Sequence, residues 1–200
     1  MVRIFTFLFV ACLSMTAVGQ EQARPVKITP RIGASFSSIT NRSFTYTVSV
    51  SDKEFTSEPS TKIGLVAGAD VEFPVDEKLG ASVGLQYAMM GCKQDDVPTL
   101  SNLNVTLDYL QLPLLLRYYL TSDLSVCAGI QPAYLLHAAH VNKCKDFSCS
   151  VPVGIAYEYN RFVVDVRYQF GLTKLYDKTD GTADTKNKAF MVTLGYRFDL

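Results

Sequence analysis

The sequence predicts an all-β fold: eight antiparallel strands closed up-and-down into a transmembrane β-barrel, preceded by an N-terminal signal peptide. Three observations predict it. Apolar residues alternate with polar or small ones through eight stretches of about ten to fourteen residues, each long enough to cross a bilayer at a tilt. The connections between those stretches run long, short, long, short, long, short, long, and in an up-and-down barrel that order puts every long connection at one end. No stretch of the mature chain offers a competing amphipathic helical pattern, or the roughly 20 consecutive apolar residues of a membrane helix.

Composition decides little. The formal net charge is zero, which gives no steering toward nucleic acid or a charged substrate. Hydrophobic residues make up 48%, as suits a soluble β protein and a membrane barrel alike. The N-terminus is more informative. Residues 1–19 carry Arg3 as a positive flank, an apolar core from Ile4 to Val18, and small residues at Ala17 and Gly19, the pattern of a secretory signal. A lipidated Cys12 is the competing export reading, disfavoured by Phe9. Residues 20–27 form a polar lead-in, and residues 28–200 the barrel domain.

The strands follow in order. Strand one, about Ile28 to Ile39, sets Ile32, Ala34 and Phe36 against Arg31, Gly33, Ser35 and Ser37. After a long polar stretch, Thr40 to Lys62, with a short strand of its own at Phe44 to Val50, strand two runs from Ile63 to Phe73. There Ile63, Leu65, Ala67, Ala69, Val71 and Phe73 oppose Gly64, Val66, Gly68, Asp70 and Glu72. A tight turn at Pro74 to Glu77 leads to strand three, about Lys78 to Met90, with Gln86 on its polar side. Gly91 to Val105 is the second long connection.

Strand four, Leu107 to Leu120, is the most apolar run of the mature chain, LDYLQLPLLLRYYL. Leu110, Leu112, Leu114, Leu116 and Tyr118 share one face; Tyr109, Gln111, Pro113, Leu115 and Arg117 share the other. Pro113 removes a ladder donor, so a local bulge or an unpaired acceptor is expected there. Strand five, Leu124 to His137, places Cys127, Gln131, Ala133 and His137 on its polar side. The third long connection is Ala138 to Cys149. Strand six, Ser150 to Tyr159, carries Glu158 on that side. Strand seven, Phe162 to Leu172, carries Asp165, Arg167 and Gln169. After Thr173 to Asn187, strand eight, about Lys188 to Leu200, carries Arg197.

The two faces suggest which solvent each meets. The polar faces are rich in glycine, serine and alanine, which suits the narrow interior of an eight-stranded barrel. Their charges are of both signs and can neutralise one another if enclosed, as buried charges must. We therefore expect an interior network of Arg31, Asp70, Glu72, Gln86, Tyr109, Gln111, Arg117, Gln131, Glu158, Asp165, Arg167, Gln169 and Arg197. The apolar faces would meet lipid, with Phe73, Tyr118, Tyr157, Tyr159, Phe162 and Phe198 forming an aromatic girdle near the short turns.

Tyr109 to Leu120, YLQLPLLLRYYL, resembles the signature strand of the PorT-like outer-membrane β-barrel family, in which an aromatic-Leu-acid/amide-hydrophobic-Pro-Leu stretch ends on a basic residue. Gln111 stands where that family commonly has Glu. The ending Gly195-Tyr196-Arg197-Phe198-Asp199-Leu200 is similar to the C-terminal signal of bacterial outer-membrane proteins, with Leu where an aromatic is usual. The resemblance implies an integral barrel in the outer membrane of a Gram-negative bacterium, with both termini periplasmic and with outer-membrane lipid and the barrel-assembly machinery as partners.

No catalytic, cofactor or metal residues are expected. His137, His140, Cys144 and Cys149 do not have the spacing of a zinc site, and no Ser-His-Asp or Cys-His arrangement stands out. In an oxidising compartment Cys144 and Cys149 are the best-placed pair for a disulfide among Cys92, Cys127, Cys144 and Cys149. The expected role is structural or interactive, through the long external loops and an envelope or extracellular protein partner, rather than enzymatic. The alternatives are a small-solute porin-like channel and a soluble exported barrel that binds a lipophilic ligand.

Overall fold

The computed structural model describes residues 25–40, 44–47, 54–57, 60–93, 104–139, 145–173 and 186–200. The first sheet strand is β1 (Lys27–Thr40), and a separate two-stranded ribbon of β2 (Phe44–Thr47) and β3 (Glu54–Ser57) follows it. The wall continues with β4 (Ser60–Pro74), β5 (Leu79–Lys93), β6 (Asn104–Gln111), β7 (Leu114–Tyr119), β8 (Leu124–Ala139), β9 (Phe147–Tyr159) and β10 (Phe162–Gly171). It ends with β11 (Lys186–Tyr196) and β12 (Phe198–Asp199). Segments β6 and β7 form one interrupted wall strand, as do β11 and β12, so the barrel has eight strands, all antiparallel. Pairing of β1 with β11, from Arg31↔Gly195 to Thr40↔Lys186, closes it and leaves no open edge in the wall.

Short turns join the strands at one end. Val75 N donates to Leu79 O at 2.8 Å, and Leu120 N to Leu124 O at 2.9 Å. The hairpin between β9 and β10 turns on Asn160 and Arg161 alone, both at positive φ (48° and 70°). A two-residue turn of that type follows the right-handed twist of its flanking strands.

The faces divide as alternation requires. Ile32, Ile63, Leu65, Leu85, Leu116, Ile155 and Leu194 point outward and are exposed, while Arg31, Ser35, Asp70, Arg117, Asp165 and Arg167 point inward and are buried. Phe73, Tyr118, Tyr157, Tyr159, Phe162 and Phe198 are exposed near the short turns. There the Phe162 and Tyr196 rings meet edge-on at 5.2 Å. Toward the other end lie the outward rings of Phe36 and Phe190, 6.2 Å apart, together with exposed Tyr134 and Phe147. The outer surface is thus an apolar band between two aromatic zones, the profile of a lipid-facing barrel.

The structure departs from the sequence reading in four places. Strands β4, β5, β8 and β9 extend toward the long connections by a few residues beyond the ends expected for them. The expected short strand at Phe44 to Val50 is present over Phe44–Thr47, residues 48–50 lying outside the described residues, and it has a partner, β3, that alternation does not predict. The fourth strand breaks at Leu112-Pro113 instead of continuing through it. His137, placed on the inner face by alternation, is exposed. The register between β6 and β8 shifts from Tyr109↔Leu135 to Asp108↔His137, so one extra residue in β8 turns the following side chains to the other face.

Candidate functional site

The expected polar residues converge on the barrel interior, which is layered along its length. At the short-turn end, Glu72 accepts a hydrogen bond from the Tyr119 hydroxyl. Its other oxygen lies 3.1 Å from Arg117 Nε and 3.6 Å from Arg197 Nη2. Arg197 also pairs closely with Glu158. Each of these residues occupies an inward position of its strand. Gly80 packs closely beside them: a Cβ added there would stand 2.9 Å from Glu72 Oε1 and oblige that side chain to shift.

Above this lies the densest group of charges. Asp165 receives Arg167 Nε at 2.6 Å, Arg117 Nη2 at 3.3 Å and Arg31 Nη1 at 3.4 Å. Asp70 pairs closely with Arg31 and accepts from Arg167 Nη2 at 3.1 Å. Arg117 Nη1 donates to Ser125 Oγ at 3.0 Å. The guanidiniums of Arg31, Arg117, Arg167 and Arg197 face the carboxylates of Asp70, Glu72, Asp165 and Glu158, so the group is neutral as a whole. Buried ions tolerate desolvation only when paired and hydrogen-bonded in this way. Gly84 makes the space: a Cβ there would overlap Asp70 Oδ1 and stand 2.9 Å from Pro113 Cγ.

A layer of carboxamides follows. Gln86 Nε2 and Gln131 Nε2 both donate to Gln111 Oε1, each at 2.7 Å. Gln111 therefore engages amides, and Arg117 finds its acids elsewhere. Gln169 Nε2 donates to the Met191 thioether at 3.1 Å. Toward the end that leads into the long connections, Val66, Ala88, Met90, Leu107, Tyr109, Ala133, Ala189 and Met191 pack together as an apolar cluster, beside buried Ser35, Ser37 and Lys62, the last donating to Thr106 Oγ1. Tyr109, grouped with the polar residues on sequence grounds, belongs to this apolar layer. Between the amides and the mouth is a gap of about 20 Å³, lined by Met90, Tyr109, Gln111, Ser150, Gln169 and Asn187 among others. That is room for one water molecule, whereas small-molecule pockets run to about 300–1,000 Å³.

Of the expected interior residues, the structure brings Arg31, Asp70, Glu72, Arg117, Glu158, Asp165, Arg167 and Arg197 into one ionic group, and Gln86, Gln111 and Gln131 into another. Gln169 meets that group through Met191, whose thioether accepts from both Gln169 and Gln86. The expected network left out Tyr119, and also Ser125, Met90 and Met191, which alternation places on inward faces. Tyr119 continues the inward alternation of Leu115 and Arg117 and was legible by that signal. Met90 and Met191 carry no polar signature, and their roles as acceptors for Gln111, Asn187, Gln86 and Gln169 amides emerge only in three dimensions. Cys149 is a free thiol, and its expected partner Cys144 lies outside the described residues, as does His140. Among the described residues, no group of three or more His, Cys, Asp or Glu side chains is placed to hold a metal ion.

A family model for the outer membrane protein beta-barrel domain matches residues 18–177. No curated protein matches the chain. Among solved structures it is similar to Ail, the attachment invasion locus protein of Yersinia pestis, at 16% identity, covering 88% of this chain and 99% of that one, with a TM-score of 0.48. It is likewise similar to Neisserial surface protein A, at 12% identity over 90% of this chain and 100% of that one, TM-score 0.47. A third is the outer membrane protein AlkL, at 13% identity over 92% and 95%, TM-score 0.49.

Proposed function

The chain belongs to the outer membrane protein beta-barrel domain family, and on that premise we propose that it is a PorT-like surface barrel whose working parts are its external loops. The barrel holds those loops in the outer membrane of a Gram-negative bacterium, with residues 1–19 removed on export and both termini in the periplasm. It binds an envelope or extracellular protein through the loops and catalyses no reaction. The observation that carries this reading is the filled lumen. Four arginines and four acids in mutual contact, capped by glutamines and an apolar plug, leave the interior occupied by its own side chains. A barrel filled in this way presents its chemistry outside the membrane, and the long connections all lie at one end.

Planar-bilayer recording of the refolded barrel tests it against the porin-like channel: we expect no steady conductance. Stable pore currents at moderate voltage would overturn the closed-barrel reading. Surface proteolysis of intact cells should cut within the long connections and spare the short turns. Cleavage at the short turns would reverse the orientation.

A further inference from the structure

The outward face of the barrel carries its charge unevenly at the long-connection end. Lys186 and Lys188 occupy successive outward positions of β11, alternating with Asn187 and Ala189, which face the lumen. Lys188 stands opposite Ser38 of β1 and Phe170 of β10, and Lys186 opposite Thr40 of β1. Neither lysine makes an ion pair among the described residues, whereas all four lumen arginines do. Lys145, just before β9, is engaged in an interaction of its own. Asp108 faces outward on β6, opposite His137. The closed wall runs from β11 to β6 through β10, β9 and β8 one way and through β1, β4 and β5 the other. The acid and the two lysines therefore lie on opposite sides of the rim.

Directly beneath the lysines is an aromatic shelf. Phe36, Phe190 and Tyr168 form one row across β1, β11 and β10, through the pairings Phe36↔Phe190 and Tyr168↔Phe190. The Tyr168 and Phe170 rings meet edge-on at 4.5 Å, and Phe36, Phe170 and Phe190 are exposed. Depth decides what the ammonium groups meet. With about 3.4 Å of rise per residue and a tilt of about 45°, a strand gains roughly 2.4 Å of height per residue. Lys188 then stands roughly 19 Å, and Lys186 roughly 24 Å, above Tyr196 in the short-turn girdle, against an apolar band about 25 Å tall. The rings reach the top of the hydrocarbon, and the lysines lie along them with their heads among the lipid headgroups.

We infer that the arc of β10, β11 and β1 is a docking surface for a phosphorylated lipid of the leaflet on the long-connection side, with Lys186 and Lys188 pairing its phosphate and Phe36, Phe170 and Phe190 carrying the upper part of its acyl chains. Charge and depth together select this occupant. Two cations above an apolar shelf complement an anionic headgroup with its chains below it, and the Asp108 side of the rim repels the same headgroup. Each lysine near a membrane surface strengthens attraction to anionic lipid about fivefold. The inference rests on the barrel spanning a membrane and not on which protein the loops engage.

The sequence has no tryptophan, so Phe190→Trp places a single fluorescent reporter in the arc and Leu110→Trp a matching one below Asp108. Phe36→Trp, beside Phe190, takes the first place if Phe190→Trp does not refold. The full barrel is refolded into vesicles of phosphatidylcholine and phosphatidic acid, with brominated chains on one lipid or the other, and quenching gives the ratio of the two lipids at each reporter. Both leaflets carry the probe, so the direction of insertion does not affect the reading. Phosphatidic acid should be enriched about tenfold at the arc and not at all beside Asp108. Lys186→Gln and Lys188→Gln should each lower the enrichment about threefold to fivefold, and the double variant should abolish it. Millimolar inorganic phosphate should leave it intact; displacement by the free ion would mean a phosphate site without a lipid. Equal enrichment at both reporters, none at either, or enrichment that survives the double variant would each overturn the inference. Lysine variants that leave lipid selectivity unchanged but abolish cross-linked dimers would overturn it in favour of a second copy of this barrel.

Discussion

Neutralising Asp165 is the most searching perturbation of the interior. Its carboxylate touches Arg167 at 2.6 Å, Arg117 at 3.3 Å and Arg31 at 3.4 Å. Asp165→Asn keeps the shape and deletes the charge, leaving four guanidiniums enclosed with three carboxylates. At an effective dielectric of about 20, each such contact corresponds to roughly 5 kcal/mol of attraction before desolvation is subtracted. Breaking a buried pair by removing one partner costs about 3–5 kcal/mol net, and we expect that loss here, a large part of the roughly 5–15 kcal/mol that holds a domain folded. The compensating variant Asp165→Asn/Arg167→Met restores neutrality and should recover at least half of it. The assay is denaturant unfolding of vesicle-refolded protein, followed by circular dichroism and by the mobility of unheated samples on gels. A single-variant loss under about 1 kcal/mol, or a double variant that merely adds two losses, would refute the claim that these side chains act as one neutral buried group.

Two further outcomes follow from the packing. Gly84→Val drives a branched side chain into Asp70 and Pro113; overpacking of this kind costs about 1–3 kcal/mol, read as a lower unfolding midpoint with strand content retained. Leu107→Ala, at a fully buried site near the long-connection end of the barrel, should cost about 2–5 kcal/mol, as in a packed core; the side chain of an open channel wall would show a much smaller loss by the same measurement.

Much of the barrel was legible in the sequence because lipid and a filled interior impose opposite demands on alternate residues. Asp70, Arg117, Asp165 and Arg167 could be placed inward by period alone. Period failed where the backbone itself changes step. The extra residue in β8 moves His137 outward, and no side-chain pattern announces it. Pro113 signalled an irregularity, but a break of the strand and a bulge have the same signature in sequence. The apolar layer was missed for a different reason: Val66, Ala88 and Ala133 were seen as inward residues among polar ones. Their clustering at one level depends on strand stagger, which alternation within single strands does not contain.

The central claim is that the apolar face meets lipid while the polar face is enclosed, and arginine placed at two depths on the outer surface tests it most directly. Leu85 is 54% exposed near the middle of β5, and Leu120 is 52% exposed at a short turn. In a membrane barrel Leu85→Arg should cost about 2–4 kcal/mol and Leu120→Arg about 0–1 kcal/mol, measured by unfolding from lipid vesicles. Equal and near-zero costs at both positions would mean that water, not lipid, surrounds the barrel.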